Sequence, residues 1–185
     1  MLPILQRRFR ALENSKAAML DQLRAIPAER LSEHPISGKW SAAQLLDHIA
    51  RVEGGVLQLV KQKLAEDGRE PVKIGDRVGS LIVRNVMRSP LRVKVPAEAA
   101  VIHPDENANA VEALAEWDRV RSDWHDFLTH VRGPELKGGV FSHPKSGWFT
   151  LPETVLFLRL HHDHHRAQVA RLAKALAATP VPVAT

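Results

Sequence analysis

Apolar side chains recur at intervals of three and four residues in four separate segments of the chain, and this spacing constrains the fold most strongly. Such spacing gathers the apolar side chains on one face of an α-helix. The first segment, residues 2–26, is followed by Pro27 and carries an apolar stripe at Leu2, Leu5, Phe9, Leu12, Met19, Leu23 and Ile26. A stripe of this kind is typical of a helix in a bundle.

The second helix has a clearly marked start in the sequence GKWSAAQLL. Ser41 followed by Gln44 is the pattern of a capping box, in which each side chain accepts a hydrogen bond from the other residue's backbone N–H. Trp40 and Leu45 occupy the two positions of a hydrophobic staple. The sequence therefore predicts a helix that begins after Ser41 and ends near Gly68.

Two further helices are predicted in the second half of the chain. The apolar stripe of residues 109–131 is terminated by the Gly-Pro pair at 133 and 134. Thr150 followed by Glu153 is a second capping box and opens a helix over residues 151–178. The preceding sequence FSHPKSGWFTLPE is interpreted as a loop, because no strand pattern of comparable strength appears anywhere in the chain.

The long connection between the second and third helices, residues 69–108, contains four prolines and has room for a short helix at 78–88. In a helix bundle, a connection of this length serves as a crossover that lets two neighbouring helices run parallel. The sequence thus predicts an all-α fold, a four-helix bundle that forms one domain over residues 1–178, followed by a flexible tail at 179–185.

The composition excludes several classes of function. The chain of 185 residues has no cysteine, which rules out disulfides, thiolate metal sites and a cysteine nucleophile. No signal peptide and no apolar run of membrane-spanning length is present, so we expect a cytoplasmic protein without a membrane partner. The formal charge is +5, but the densest basic run, residues 84–95, has no interleaved aromatic residues, and no nucleic-acid partner is predicted.

Four histidines fall within five positions of the sequence LRLHHDHHRAQVARL, residues 158–172. At about 100° per residue, His162 lies about 20° from the centre of the apolar stripe, His165 about 40° and His161 about 80°, whereas His164 points to solvent. His161 and His165 are one turn apart, a spacing at which two imidazoles can hold one metal ion. The pair His162 and His165 is also feasible, and helical geometry leaves the choice open.

A third ligand should come from another helix, and His48 is the candidate. It lies about 75° from the centre of the stripe of the second helix. Edge positions of neighbouring helices can meet at the mouth of a bundle, where three protein ligands and one open position are typical of a catalytic zinc site. Asp47 and Glu53 are near His48 in sequence, and either could support a metal ligand, although surface positions are the first expectation for both. The remaining histidines are given structural or surface roles: His34, His103, His125, His130 and His143.

These motifs resemble those of the DinB-like (DinB/YfiT) superfamily of metal-dependent enzymes. WSAAQLLDHIARVE resembles the start of the second helix of the family, in which a tryptophan and a capped start precede a metal-binding histidine. HPKSGWFTLPE resembles the loop that introduces the last helix. HHDHHRAQ resembles the HxxxH followed by Arg-Gly/Ala-Gln that closes the motif, here with Ala167 in place of the common glycine.

The resemblance implies an up-down-down-up bundle and a divalent metal ion held by His48, His161 and His165. His165 directly precedes RAQ, so the resemblance selects His161 over His162, although the doubled histidine keeps a shifted register open. His162 and Asp163 then become neighbours of the site or residues that support its ligands, and not ligands themselves. Imidazole suits several divalent metals, and zinc and nickel are the first candidates.

The same resemblance implies a small-molecule substrate. Relatives include S-transferases that use a low-molecular-weight thiol, and this is the first hypothesis for the reaction. A metal-assisted hydrolase and a metal-binding bundle without catalysis are the alternatives. A homodimer is also expected, with contact surfaces or core positions for Trp117, Trp124 and Trp148.

Overall fold

The computed structural model describes residues 1–73, 75–76, 103–143 and 146–178. Within these ranges the chain forms four long α-helices, with bounds at Pro3–Asp21 (α1), Ala42–Ala65 (α2), Ala110–His130 (α3) and Leu151–Ala178 (α4). Helix α1 packs against α4, and α2 packs against both α3 and α4. The prediction of an all-α four-helix bundle is therefore confirmed.

Several predictions lie wholly or largely outside the described residues. They concern the short helix at 78–88, the basic run at 84–95, most of the crossover at 69–108 and the tail at 179–185. The domain boundary at residue 178 stays a prediction. None of the helices in the described parts combines the length and apolar character needed to cross a bilayer.

The predicted capping box at the start of α2 forms in full, whereas the one at α4 forms only through the Glu153 side chain. Ser41 accepts a hydrogen bond from the backbone of Gln44 (3.1 Å), and the Gln44 side chain accepts one from the backbone of Ser41 (3.0 Å), which confirms this capping box. At α4, the Glu153 carboxylate accepts from both the backbone N–H and the hydroxyl of Thr150. Asn109 caps α3, because its side chain accepts from two backbone N–H groups of the first turn.

Helix α1 ends five residues earlier than the apolar stripe suggests. The backbone N–H groups of Gln22 and Leu23 bond to carbonyls three residues earlier, at Met19 and Leu20, so the chain tightens after Asp21. A 3-10 helix follows at Ala28–Ser32. Leu23 is nevertheless buried, and this explains why the apolar pattern continues beyond the helix.

A short β-hairpin lies where a loop was predicted. Strand β1, Phe141–His143, pairs with the antiparallel strand β2, Gly147–Phe149. Strands of three residues are too short to show an alternating pattern, so the hairpin has no recognisable signal in the sequence. Gly147 has a φ of +73°, a left-handed conformation that favours glycine. Phe149 packs against Phe157 of α4 (ring centroids 5.9 Å apart), so the hairpin leads directly into the bundle.

Two apolar clusters form the core, and buried polar side chains lie between them. On α1, Leu12 belongs to the first cluster and Met19 to the second. On α4, Leu158 belongs to the first cluster and Val169 to the second. The buried polar residues near this division are called the polar layer: Ser15, Lys16, His48, Glu53, Arg121, His161, His162 and His165. The predicted metal ligands and several charged side chains therefore occupy the same level of the bundle.

Candidate metal centre

Three histidines from two helices converge within the polar layer. The Nε2 atom of His161 lies 3.3 Å from Nε2 of His48 and 3.0 Å from Nε2 of His165. Each of the three residues offers one ring nitrogen, and these nitrogens all lie within 4.8 Å of one another. The structure therefore brings together the three residues that the family resemblance selects, and His161 is the central one.

The helices determine this convergence. His48 lies on α2, seven residues after Ser41, the N-cap of the helix. His161 and His165 lie one turn apart on α4, so both rings project from the same strip of that helix. Because α2 packs against α4, the ring of His48 meets this strip, and its centroid is 5.2 Å from that of His161 and 5.1 Å from that of His165.

Burial keeps the imidazoles of His161 and His165 neutral. It is the main cause that holds the pKa of His161 well below its ordinary value, and repulsion from His165 and His48 lowers that pKa further. Burial, followed by repulsion from His48, lowers the pKa of His165 to about 3. Neutral imidazole is the form that binds metal ions, so the site is ready for a cation at neutral pH.

The tautomer of His165 also suits a metal ion. Its Nδ1 donates a hydrogen bond to Oε1 of Gln168 (3.1 Å), which leaves a lone pair on the Nε2 atom that faces His161. An outer hydrogen bond of this kind orients many metal-binding histidines. Lone pairs that converge in a buried space repel one another, and a metal ion bound between them would relieve this repulsion.

The nitrogen spacing is compatible with tetrahedral coordination. Zinc–imidazole bonds of about 2.0–2.1 Å at tetrahedral angles place two ligand nitrogens about 3.3–3.4 Å apart. The observed separations of 3.3 Å and 3.0 Å around His161 are close to this value. The donor set consists of three neutral nitrogens without a carboxylate, and it fits a divalent ion such as zinc, nickel, copper or iron.

Aromatic side chains surround the three rings. The ring of Trp40 lies 5.0 Å from that of His48, and the ring of Phe157 lies 6.1 Å from that of His161. His48 is 1% exposed, whereas His161 and His165 are 7% and 8% exposed. All three histidines are therefore buried, and the small residual exposure belongs to the two residues of α4.

The other histidines of the sequence lie outside this cluster. His162 is fully buried and turns to Glu53 instead, although helical geometry had placed it nearest to the centre of the stripe. His164 is half-buried rather than solvent-facing. His143 lies in β1, where its Nδ1 is 2.9 Å from the hydroxyl of Ser146. The remaining four are exposed: His34, His103, His125 and His130.

The expectation for Glu53 was wrong, because this residue is completely buried. Its carboxylate contacts Arg121 and Trp117 of α3 and His162 of α4. Burial by itself raises the pKa of Glu53, but attraction to Arg121 and His162 outweighs it and holds the pKa at about 2. Asp47 is only partly buried and pairs with Arg51 at 2.6 Å, so it does not reach the histidine cluster.

Glu53 and Arg121 could have been found from helical spacing. Glu53 is four residues after Ile49 and three before Val56, and both of these are buried. Arg121 has the same relation to Trp117 and Trp124. A charged residue within an apolar stripe is expected to be buried and paired. Their positions therefore indicate a polar contact in the core, although the sequence does not identify the partner of either residue.

Comparison with known proteins agrees with this architecture. A family model described as the DinB superfamily matches residues 11–169. The fold is similar to that of YfiT from Bacillus subtilis, described as a probable metal-dependent hydrolase with an unusual four-helix bundle topology. The two chains are 16% identical, the TM-score is 0.56, and the similarity covers 94% of this chain and 88% of YfiT. No curated protein sequence matches the chain.

The likeness to YfiT shows the fold, and the family match rests on the sequence itself. The matched span begins in α1 and ends in α4, and it includes all three clustered histidines. The chain therefore belongs to the DinB superfamily.

Proposed function

We propose that the chain is a divalent-metal-dependent enzyme in which His48, His161 and His165 hold the ion and a small molecule takes an open coordination position. The convergence of three buried ring nitrogens is the observation that carries this proposal. Three protein ligands and one free position are the arrangement of catalytic rather than structural zinc sites. A divalent ion bound there would supply a Lewis acid.

The residues of the chain provide the orientation and the environment. Gln168 fixes the ring of His165, and all three clustered histidines are buried. Exclusion of water strengthens electrostatic interactions with a bound substrate. The site therefore suits a reaction in which a charged or polarised group of a small substrate is stabilised.

The reaction that we favour is transfer or use of a low-molecular-weight thiol. Three neutral donors leave the full charge of the ion uncompensated, and this favours an anionic substrate such as a thiolate. A thiol also needs little help from a base, because its pKa of about 8.5 is close to neutral pH. Among the described residues, the buried carboxylate nearest in sequence to His48 is Glu53, and it is already bound to Arg121 and His162.

Metal-assisted hydrolysis is the second candidate. It is supported by the similarity of the fold to YfiT, which is described as a probable metal-dependent hydrolase. Hydrolysis at such a site is aided by a group that takes a proton from water, whereas a thiol needs little such help. The buried carboxylate of Glu53 is already bound to Arg121 and His162. This chemical difference makes the thiol reaction the better match to the site.

Metal analysis tests the proposal directly. Untagged protein purified without chelator should contain about one divalent ion per chain, and His48→Ala should contain almost none. His130→Ala is the matched control, because this histidine is exposed and lies outside the cluster. The proposal fails if the wild-type chain holds no ion and binds none tightly when zinc or nickel is added.

The choice between the two reactions needs a separate experiment. Addition of a thiol to the cobalt-substituted protein should change its visible absorption, and thiol transfer to an electrophile should depend on the metal. Hydrolysis of a panel of esters and amides without any thiol would favour the second candidate. Metal binding without turnover in both panels would identify the chain as a metal-binding bundle that lacks catalysis.

The predicted homodimer stays a proposal. Trp117 and Trp124 are fully buried in the core, so neither can contribute to a contact between subunits. Trp148 is half-buried at the hairpin, beside Lys63 of α2, and is the tryptophan that could take part. Sedimentation equilibrium of the wild-type chain measures the mass, and Trp148→Ala should weaken the dimer if this surface forms the contact.

A further inference from the structure

The carboxylate of Glu53 connects three helices of the bundle. Its Oε1 accepts hydrogen bonds from Trp117 Nε1 (2.8 Å), Arg121 Nη2 (2.7 Å) and His162 Nε2, and its Oε2 accepts from Arg121 Nε (3.1 Å). The indole of Trp124 donates to the backbone carbonyl of Glu53 (3.1 Å). One residue of α2 thus receives donors from both α3 and α4, entirely within the core.

The position of this carboxylate relates it to the histidine cluster. Glu53 follows His48 by five residues on α2, a rise of about 7.5 Å. On α4, His162 and His161 are adjacent, so their side chains point about 100° apart. Helix α2 therefore meets α4 at two points: Glu53 binds His162, and His48 meets His161. Two such contacts between the same pair of helices fix both the rotation and the register of α4.

We propose that Glu53 and His162 are positioning residues for the metal centre. The Glu53–His162 hydrogen bond, supported by Arg121 and Trp117, holds α4 in the rotation in which His161 and His165 face His48. It also withholds His162 from the ion, so that the adjacent histidine cannot replace His161. This inference rests on the proposed metal-binding function.

Physical reasons favour a positioning role over simple stabilisation. A buried ion pair stabilises a fold no better than a well-packed apolar cluster, whereas its best-attested role is to select one register. His162 is 0% exposed, and its Nδ1 is buried without a hydrogen-bond partner in the described residues. The contact with Glu53 is thus the hydrogen bond that orients this ring.

Polar contacts of the same layer also connect α1 to α3 and α4. The hydroxyl of Ser15 donates to Asp163 of α4 (3.2 Å), and Lys16 pairs with Asp118 of α3 (2.6 Å). Arg121 also binds Glu13 of α1 at 2.5 Å. The Glu13 side chain is 44% exposed and does not reach α4, whereas Glu53 does. Glu13 is therefore a matched control, because it shares Arg121 with Glu53 but not the contact with His162.

Cobalt binding by Glu53→Gln and Glu13→Gln tests the inference. Circular dichroism first establishes that each variant is folded at the temperature of the titration. Glu53→Gln should bind cobalt about tenfold or more weakly than the wild type and with an altered visible spectrum, because supporting residues of metal sites have effects of this size. Glu13→Gln should match the wild type. Equal affinity and an identical spectrum for folded Glu53→Gln would overturn the inference.

A measurement on the wild-type chain decides the matter if Glu53→Gln does not fold. Nitrogen-15 NMR of the metal-free protein reports the tautomer of each histidine. His162 should carry its proton on Nε2, and its signals should stay unchanged when zinc is added, while those of His161 shift. An Nδ1 proton on His162, or a ligand-like shift on zinc addition, would overturn the inference. Failure of the wild type to bind any metal would instead refute the proposed function.

Discussion

Nε2 of His161 lies 3.3 Å from Nε2 of His48, although 113 positions separate the two residues in the chain. The same atom is 3.0 Å from Nε2 of His165. His161 is thus the residue through which α2 and α4 meet at the candidate metal centre. Its neighbour His162 faces Glu53, in a different direction.

Removal of the central histidine should abolish tight metal binding. His161→Ala leaves two ligands, and His162 cannot replace the third because Glu53 holds it. We expect zinc affinity to fall by about 100-fold or more, since even supporting residues of metal sites contribute 10- to 100-fold. Competition with a chromophoric chelator measures the affinity. His164→Ala is the control, because this half-buried residue lies outside the cluster. Loss of binding in His162→Ala but not in His161→Ala would instead establish the shifted register.

Removal of the metal ion should lower thermal stability. An ion that binds only the folded chain adds about 2.7 kcal/mol at a hundredfold excess over its Kd. For a domain of this size, such a change shifts Tm by about 5–10 °C. Differential scanning calorimetry with zinc and with chelator measures the difference. His48→Ala should show the same Tm under both conditions, and a zinc-dependent shift in that variant would place the ion elsewhere.

The metal-free protein should lose stability as pH falls below about 6.5. The pKa of His165 is about 3 in the folded chain and near its ordinary value of 6.5 when unfolded. Between these values the unfolded chain binds a proton that the folded chain does not, so the free energy of unfolding falls by about 1.4 kcal/mol per pH unit. His161, whose pKa is also lowered, acts in the same direction.

Urea denaturation of the chelator-treated protein between pH 7.5 and pH 5 measures this effect. The variant that combines His161→Gln and His165→Gln should depend much less on pH over the same range. Glu53, with a pKa of about 2 against an ordinary 4.5, contributes only below about pH 4.5 and does not interfere. A flat wild-type profile between pH 7.5 and pH 5 would contradict neutral, buried imidazoles.

Sequence reasoning predicted the bundle because its signals are local. The Ser41 capping box and the spacing of three and four residues each act within one helix, and the structure follows both. The hairpin at Phe141–His143 and Gly147–Phe149 could not be predicted, because its strands are too short for a pattern and are held by packing against Phe157. Such contacts form between separate elements of the structure and leave no periodic pattern within either of them.

The candidate site likewise combines signals within one helix with contacts between helices. The i,i+4 spacing of His161 and His165 was visible in the sequence, but the choice between His161 and His162 depends on where α2 places Glu53. The charge of Glu53 suggests a surface position, whereas its place between the buried residues Ile49 and Val56 indicates burial. The partner of a buried charge lies on another helix, so helical spacing can predict its burial but not its contact.

Loss of the guanidinium that supports Glu53 should destabilise the fold strongly. Arg121→Met removes the hydrogen bonds at 2.7 Å and 3.1 Å and leaves a buried carboxylate with less compensation. Removal of one partner of a buried ion pair lowers the free energy of unfolding by about 3–5 kcal/mol, and urea denaturation of metal-free protein measures it. Arg119→Met is the control, because Arg119 forms exposed pairs on the same helix, and its denaturation midpoint should stay near that of the wild type. Equal midpoints for the two variants would show that the charge of Glu53 is compensated without Arg121, by His162 and Trp117 alone.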